Sequence, residues 1–353
     1  MRFKDEMTSK ERMTAYFNNE DVDRPPFSLS LGEPAAKFIN ISSYDHYHNA
    51  DRMVDIEEYC YNRFGQDGIS IRAGLHGFAE AMGSKLYFPQ YGLTLVEEPF
   101  LASNENHDKL SPADPHKDGR LPIFLEALEK LQERCGEMVG VSASIPGPFT
   151  TLSSLRGSEN LMKDLYSRPD MVNKWLDIIM ETFNLYIDEA SKLNVGFLFA
   201  EPMGSCSLIS PKMFKKFVQP YLSKCSDRIF NKTGKRPSLH ICGQTEKILK
   251  DLAEIKVSSL SLDNVVDMEK AKEEIGKEVC LVGNVKPVET IADGTKEDIF
   301  NEVGYLLAKL HDSPKGYIIA PGCQLPMTID IEKIDMFVEA VHKFNKFNSK
   351  NKK

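Results

Sequence analysis

The sequence predicts an α/β fold, a (β/α)8 TIM barrel with an insertion after the second strand. Eight short apolar runs are spaced along the 353 residues, amphipathic stretches separate most of them, and no run leads into a Gly-x-Gly-x-x-Gly turn. Near-continuous apolar strands alternating with helices belong to parallel sheets covered on both faces. The missing glycine fingerprint speaks against an open dinucleotide-binding sheet. The chain, 1–353, therefore reads as a single domain, since barrels of this kind span ~200–400 residues.

The strand candidates are residues 27–31, 68–71, 139–144, 196–201, 238–241, 258–262, 279–283 and 317–320. The helical stretches cover 121–134, 158–166, 169–193, 211–233, 245–255, 267–275, 296–309 and 331–347. In the first of these, apolar residues recur at 121, 124, 125, 128 and 131, the period of a one-sided helix. Ser210 before Pro211 and Asp330 before Ile331 stand as N-caps. Residues 72–120 break the alternation. Within them, 85–88 and 93–97 flank Pro89-Gln90-Tyr91-Gly92, which reads as a hairpin, and 104–120 is polar with Pro112, Pro115 and Gly119. A barrel insertion after a strand sits on the C-terminal face beside the active site, so a lid or docking surface is expected there. The lysine-rich end, 345–353, reads as a flexible tail.

Hydrophobic residues make up 41% and charged residues 27%, which excludes a disordered chain. The net charge of −8 is mixed along the sequence, without the basic stripe of a nucleic-acid binder. No apolar run reaches the ~18–20 residues of a membrane span, and the first residues lack the apolar core of a signal peptide. A cytoplasmic protein is expected. Seven cysteines without regular spacing then read as core thiols, metal ligands or catalytic groups rather than bridges.

Barrel chemistry sits at the C-terminal ends of the strands. The fourth run ends at Glu201, the fifth in His240-Ile241-Cys242-Gly243-Gln244, the seventh in Gly283-Asn284 and the eighth in Pro321-Gly322-Cys323. On a strand, i and i+2 point the same way, so His240 and Cys242 can face one atom. With Cys323 they offer an imidazole and two thiolates, a set suited to Zn2+ that leaves a fourth position open. A core histidine beside two buried thiols is the bland alternative. Glu201 can serve as a displaceable fourth ligand, a base or a charge partner. Cys60, Cys135, Cys225 and Cys280 read as structural, Cys206 lies near the mouth, and His46 and His48 read as surface residues of a polar loop.

The stretch Ile145-Pro146-Gly147-Pro148-Phe149-Thr150-Thr151, and Ser207-Leu208-Ile209-Ser210-Pro211 followed by Val218-Gln219-Pro220-Tyr221, resemble motifs of the uroporphyrinogen decarboxylase superfamily. The likeness runs from Asp23-Arg24-Pro25-Pro26 to the last helix. True decarboxylases of that superfamily carry an arginine-rich segment after the first strand; here residues 27–34 hold no arginine and include Glu33. His240-Ile241-Cys242-Gly243, Gly283-Asn284-Val285 and Gly322-Cys323 are instead similar to the cobalamin-dependent methyltransferase branch. That resemblance implies zinc on His240, Cys242 and Cys323, while Glu201 stays a candidate further ligand from its place at a strand end. It implies methyl transfer between methylcobalamin or another corrinoid and a zinc-activated thiol, or another small acceptor such as coenzyme M or tetrahydrofolate. It makes Glu201 and Asn284 catalytic candidates, and Pro146, Gly147, Gln244 and Asn284 corrinoid-binding candidates. The chain has no Asp-x-His-x-x-Gly cobalamin signature, so the corrinoid is expected on a partner carrier protein, docked against 72–120 and 146–150. Where the family often has an asparagine near the last helix, Asp330 and Glu332 stand here, which leaves the acceptor open. A metal-free decarboxylase and a non-catalytic zinc- or corrinoid-binding barrel are the alternatives.

Overall fold

The computed structural model describes residues 5–344, so the tail expected at 345–353 lies outside the described residues. The strands are β1 (Ile69–Arg72), β2 (Lys85–Tyr87), β3 (Leu95–Glu98), β4 (Val141–Pro146), β5 (Gly196–Ala200), β6 (Ser238–Ile241), β7 (Ser259–Leu262), β8 (Cys280–Val282) and β9 (Tyr317–Ile318). Seven of them form one parallel sheet in the order β1-β4-β5-β6-β7-β8-β9. Helices follow the strands and cover the sheet, as a TIM barrel requires. The longest, Pro169–Ala190, buries Val172, Trp175, Leu176, Ile179, Phe183, Tyr186 and Ile187 along one stripe. No helix among the described residues is long and apolar enough to cross a membrane.

The expected first strand, 27–31, is reduced to a single bridge between Phe27 and Ile319. The pairing begins at once, with Ile319 N donating to Pro26 O at 3.2 Å, but stops after Phe27. Phe27 still closes the ring: Ser28 N donates to Ile319 O at 3.0 Å, and Asp67 N donates to Phe27 O at 2.9 Å. Beyond it the stave parts from β1, and Ser70 N donates instead to the Glu57 carboxylate at 3.2 Å. That carboxylate comes from the helix Ala50–Phe64. On the other side Leu325 N donates to Ser30 O, which ties the loop after β9 to the departing stave.

The alternation-breaking segment carries the expected hairpin, β2 against β3, with Leu86 opposite Val96. Arg120 anchors this region: it donates to Glu80 at 2.6 Å, and its guanidinium lies over the rings of Tyr47, Phe88 and Phe124. Helices at Ser9–Phe17, Glu33–Phe38, Ser43–His48 and Pro148–Arg156 were not expected. The expected helix 211–233 is two, Pro211–Phe217 and Gln219–Thr233, because Pro220 cannot donate to the preceding turn. Ser210 caps as expected, accepting from Met213 N, whereas the Asp330 side chain makes no capping hydrogen bond.

Candidate metal centre at the barrel mouth

Along β6 the residues alternate, with Leu239 and Ile241 buried and His240 turned to the barrel interior side with Ser238. His240 pairs with Ser261 of β7, and its Nδ1 lies 3.0 Å from the Ser261 hydroxyl. That contact fixes the ring and leaves Nε2 facing Cys242 Sγ at 3.2 Å. Gly243 then turns the chain with φ +69°, and a Cβ there would collide with Ser207. Cys323, just past β9, brings its Sγ to 3.7 Å from that of Cys242. The three ligand atoms lie within 4.8 Å of one another, and all three residues are half-buried.

The spacing fits a tetrahedral ion. Zinc–sulfur bonds of ~2.3 Å at tetrahedral angles set two sulfurs about 3.8 Å apart, close to the observed separation. A metal-ligating imidazole has its second nitrogen held by a hydrogen-bond partner, a place that the Ser261 hydroxyl fills here. The hydrogen bond from Cys242 pulls the Cys323 thiol below its ordinary value, and Cys242 is pushed up in turn.

Other expected site residues fall elsewhere. Glu201 is fully buried and stands outside the ligand group. Its carboxylate accepts from Phe149 N at 3.1 Å, from Thr150 N at 2.7 Å and from the Thr150 hydroxyl. It therefore caps the N-terminus of Pro148–Arg156, a favoured place for an anion, and has no free oxygen to offer a metal at the mouth. Burial pushes the Glu201 carboxyl up to about 7 against those hydrogen bonds. Pro146 and Gly147 are buried with it, and a Cβ on Gly147 would collide with the Glu201 carboxylate. Residues 146–150 are thus interior and form no docking rim. Gln244 is exposed at the mouth, its main chain held by Ser207 and Cys206. Asn284 is buried and braces two loops, donating to Asp263 O at 2.9 Å and Val266 O at 2.8 Å. Asp263 in turn accepts from Gly243 N at 2.8 Å, so Asn284 supports the turn that carries Cys242.

Sequence reasoning missed a polar group on the β1 side of the mouth. Glu33 is buried and accepts from Gln324 Nε2 at 2.6 Å and from the Tyr47 hydroxyl. Gln324 adjoins Cys323. His46, expected on the surface, is buried and stacks on Tyr47 with ring centroids 4.7 Å apart. Arg72 ends β1 on the same side. Reading the end of the second run as closely as the others would have found Arg72; nothing local marks His46 as buried.

A barrel with an open three-donor centre at its C-terminal mouth defines a class of metal-capable TIM-barrel proteins. The chain belongs to the uroporphyrinogen decarboxylase (URO-D) family, whose pattern matches residues 8–344. It is 26% identical to the methylcobamide:CoM methyltransferase MtaA of Methanosarcina barkeri, over 95% of this chain and 98% of that protein. It is 24% identical to the uroporphyrinogen decarboxylase of Aliivibrio fischeri, over 84% of each. Among solved structures, a methyltransferase from Methanosarcina mazei superposes with a TM-score of 0.82 at 26% identity, covering 96% of this chain and 99% of that one.

Proposed function

We propose that the protein is a zinc-dependent methyltransferase that moves a methyl group between a corrinoid carried by a partner protein and a small thiol such as coenzyme M. The observation that carries this reading is the convergence of His240, Cys242 and Cys323 on one point, in a chain similar to methylcobamide:CoM methyltransferases along nearly its whole length. Zinc bound there would supply a position at which a substrate thiol is deprotonated at neutral pH. Ser261 holds the His240 ring so that Nε2 is available, and the Asn284–Asp263–Gly243 chain holds the Cys242 loop. Three protein donors leave one position for substrate. In the transfer, the thiolate sulfur forms a bond to the methyl carbon as the cobalt–carbon bond breaks, and both electrons of that bond stay on cobalt. Glu201 is engaged as a helix cap, and among the described residues the ligand group contains no carboxylate.

The decarboxylase reading meets Glu33, a buried acid where a polycarboxylate would have to be gripped. The test is anaerobic incubation of zinc-loaded protein with methylcobalamin and a small thiol, following loss of the methyl-cobalt absorbance. Transfer in the wild type and none in Cys323→Ser supports the reading. Absence of transfer to any thiol, with decarboxylation of uroporphyrinogen by metal-stripped protein, overturns it.

A further inference from the structure

Two thiols from separate strand ends stay close only if their loops are seated against something fixed. Cys242 follows β6 and Cys323 follows β9, and two strands of the sheet, β7 and β8, lie between them. Both cysteines stand outside the strands, where no ladder holds the backbone. Their Sγ atoms are nevertheless 3.7 Å apart.

The turn after β7, Asp263-Asn264, touches both loops. Asp263 Oδ2 accepts at 2.8 Å from the N–H of Gly243, the residue after Cys242. Gly322, the residue before Cys323, packs directly on Asn264. A Cβ at Gly322 would lie 2.5 Å from Asn264 N and 2.9 Å from Asn264 Cα, closer than non-bonded heavy atoms pack. Any side chain there would push the Cys323 loop off the turn. The turn is itself braced. Asp263 Oδ1 accepts from Val265 N at 3.2 Å, and Asp263 O accepts from Val266 N at 3.1 Å. Asn284, past β8, donates to Asp263 O and Val266 O, and Gly322 N donates to Val285 O at 2.8 Å. The ends of β6, β8 and β9 are thus all keyed to the end of β7.

We propose that Asp263 and Asn264 are positioning residues for the metal centre: their turn seats both cysteine loops and sets the separation of the two sulfurs before any ion binds. The inference rests on the metal centre of the proposed function and is independent of methyl transfer. Donors held in place by supporting groups bind without the cost of gathering them.

The separation can be read without a metal. Metal-free protein is treated anaerobically with diamide, which takes up the two thiol hydrogens as a Cys242–Cys323 disulfide forms, and the linked peptides are followed by mass spectrometry. Gly322→Ala and Asp263→Ala should form that link at least about tenfold more slowly than the wild type, since small misplacements of reacting groups cost that much or more. Asp263→Asn, which keeps an acceptor oxygen for Gly243 N, should recover most of the rate. Asp67→Ala, at the other end of the barrel, lowers stability and should leave the rate unchanged, which separates positioning from general loosening. Co2+ affinity, measured by chelator competition, should fall about 10–100-fold in Asp263→Ala. No link in the wild type, wild-type rates in Gly322→Ala and Asp263→Ala, or an equal slowing in Asp67→Ala overturns the positioning role. Wild-type protein that links the two cysteines as expected yet takes up no metal overturns the proposed function and leaves the seating of the loops standing.

Discussion

At the N-terminal end of the barrel Arg12 and Arg24 are hydrogen-bonded to carboxylates of the chain, whereas at the mouth Arg72 Nη1, 3.7 Å from Glu57, and His46 Nδ1 have no hydrogen-bond partner among the described residues. Arg12 donates to Asp23 and Asp67, and Arg24 to Asp5, Asp67 and Gly65 O. His342, from the last helix, completes the cluster through Asp5 at 2.8 Å. Both clusters are enclosed, so desolvation is similar in kind. The difference is in the partners. The lower cluster joins the chain's start, the turn before β1 and the last helix, and has no donor left over. The mouth keeps three metal donors and two nitrogen-bearing side chains without hydrogen-bond partners of their own. Charge that is fully hydrogen-bonded within the chain serves folding, whereas the barrel mouth is where groups are presented to a ligand.

The comparison can be broken by showing that the two ends are not independent. The largest effect is expected from Cys242→Ser and Cys323→Ser. Each should weaken metal binding by more than about 100-fold, measured by chelator competition, while thermal unfolding of the metal-free proteins stays near that of the wild type. A large drop in the unfolding temperature would make the trio a structural element. Next comes Asp67→Ala, which takes one carboxylate from each of two buried guanidinium groups. A loss of about 3–5 kcal/mol in denaturant unfolding is expected, with metal affinity unchanged in the protein that remains folded. Metal affinity falling in step with stability would merge the two ends.

Smaller effects sharpen the picture. Ser261→Ala frees the His240 ring and should weaken metal binding about 10–100-fold. No change would mean that Ser261 does not orient the ligand. The smallest is a pH effect. Burial pushes the Asp5 carboxyl up, but His342, Arg24 and Arg12 together hold it well below the usual value of 3.8. A depressed folded value means that Asp5 stabilises fully above that ordinary value and loses its contribution as the pH falls below it. Asp5→Asn should therefore lower stability at neutral pH and flatten its decline in acid. An acid profile identical to the wild type would remove Asp5 from the cluster.

The trio was legible in the sequence because two rules sufficed. Side chains at i and i+2 share a strand face, and the mouth lies where strands end. His240 and Cys242 obey both, and Cys323 obeys the second. Glu201 obeys the second rule too, yet its carboxylate bends back to the helix starting at Pro148. Which way a strand-end acid turns depends on where the neighbouring helix begins, and the helix Pro148–Arg156 was not recognised in so short a segment. His46 sits in a polar, tyrosine-rich stretch, and its helix Ser43–His48 neighbours Arg120 and Phe88, which come from far along the chain. The first stave read as a strand from its apolar residues, but the hydrogen bonds that would have made it one go to Glu57 and to the loop after β9.

The central claim is that the mouth holds one metal on His240, Cys242 and Cys323 with a position left open. X-ray absorption of the anaerobically zinc-loaded protein tests it most directly. The account predicts one zinc per chain, with two sulfurs at ~2.3 Å, one imidazole nitrogen at ~2.0 Å and one exchangeable light ligand that gives way to a third sulfur when thiol is added. Well-folded protein that takes up no zinc, or a zinc whose shell does not change on adding thiol, would contradict it.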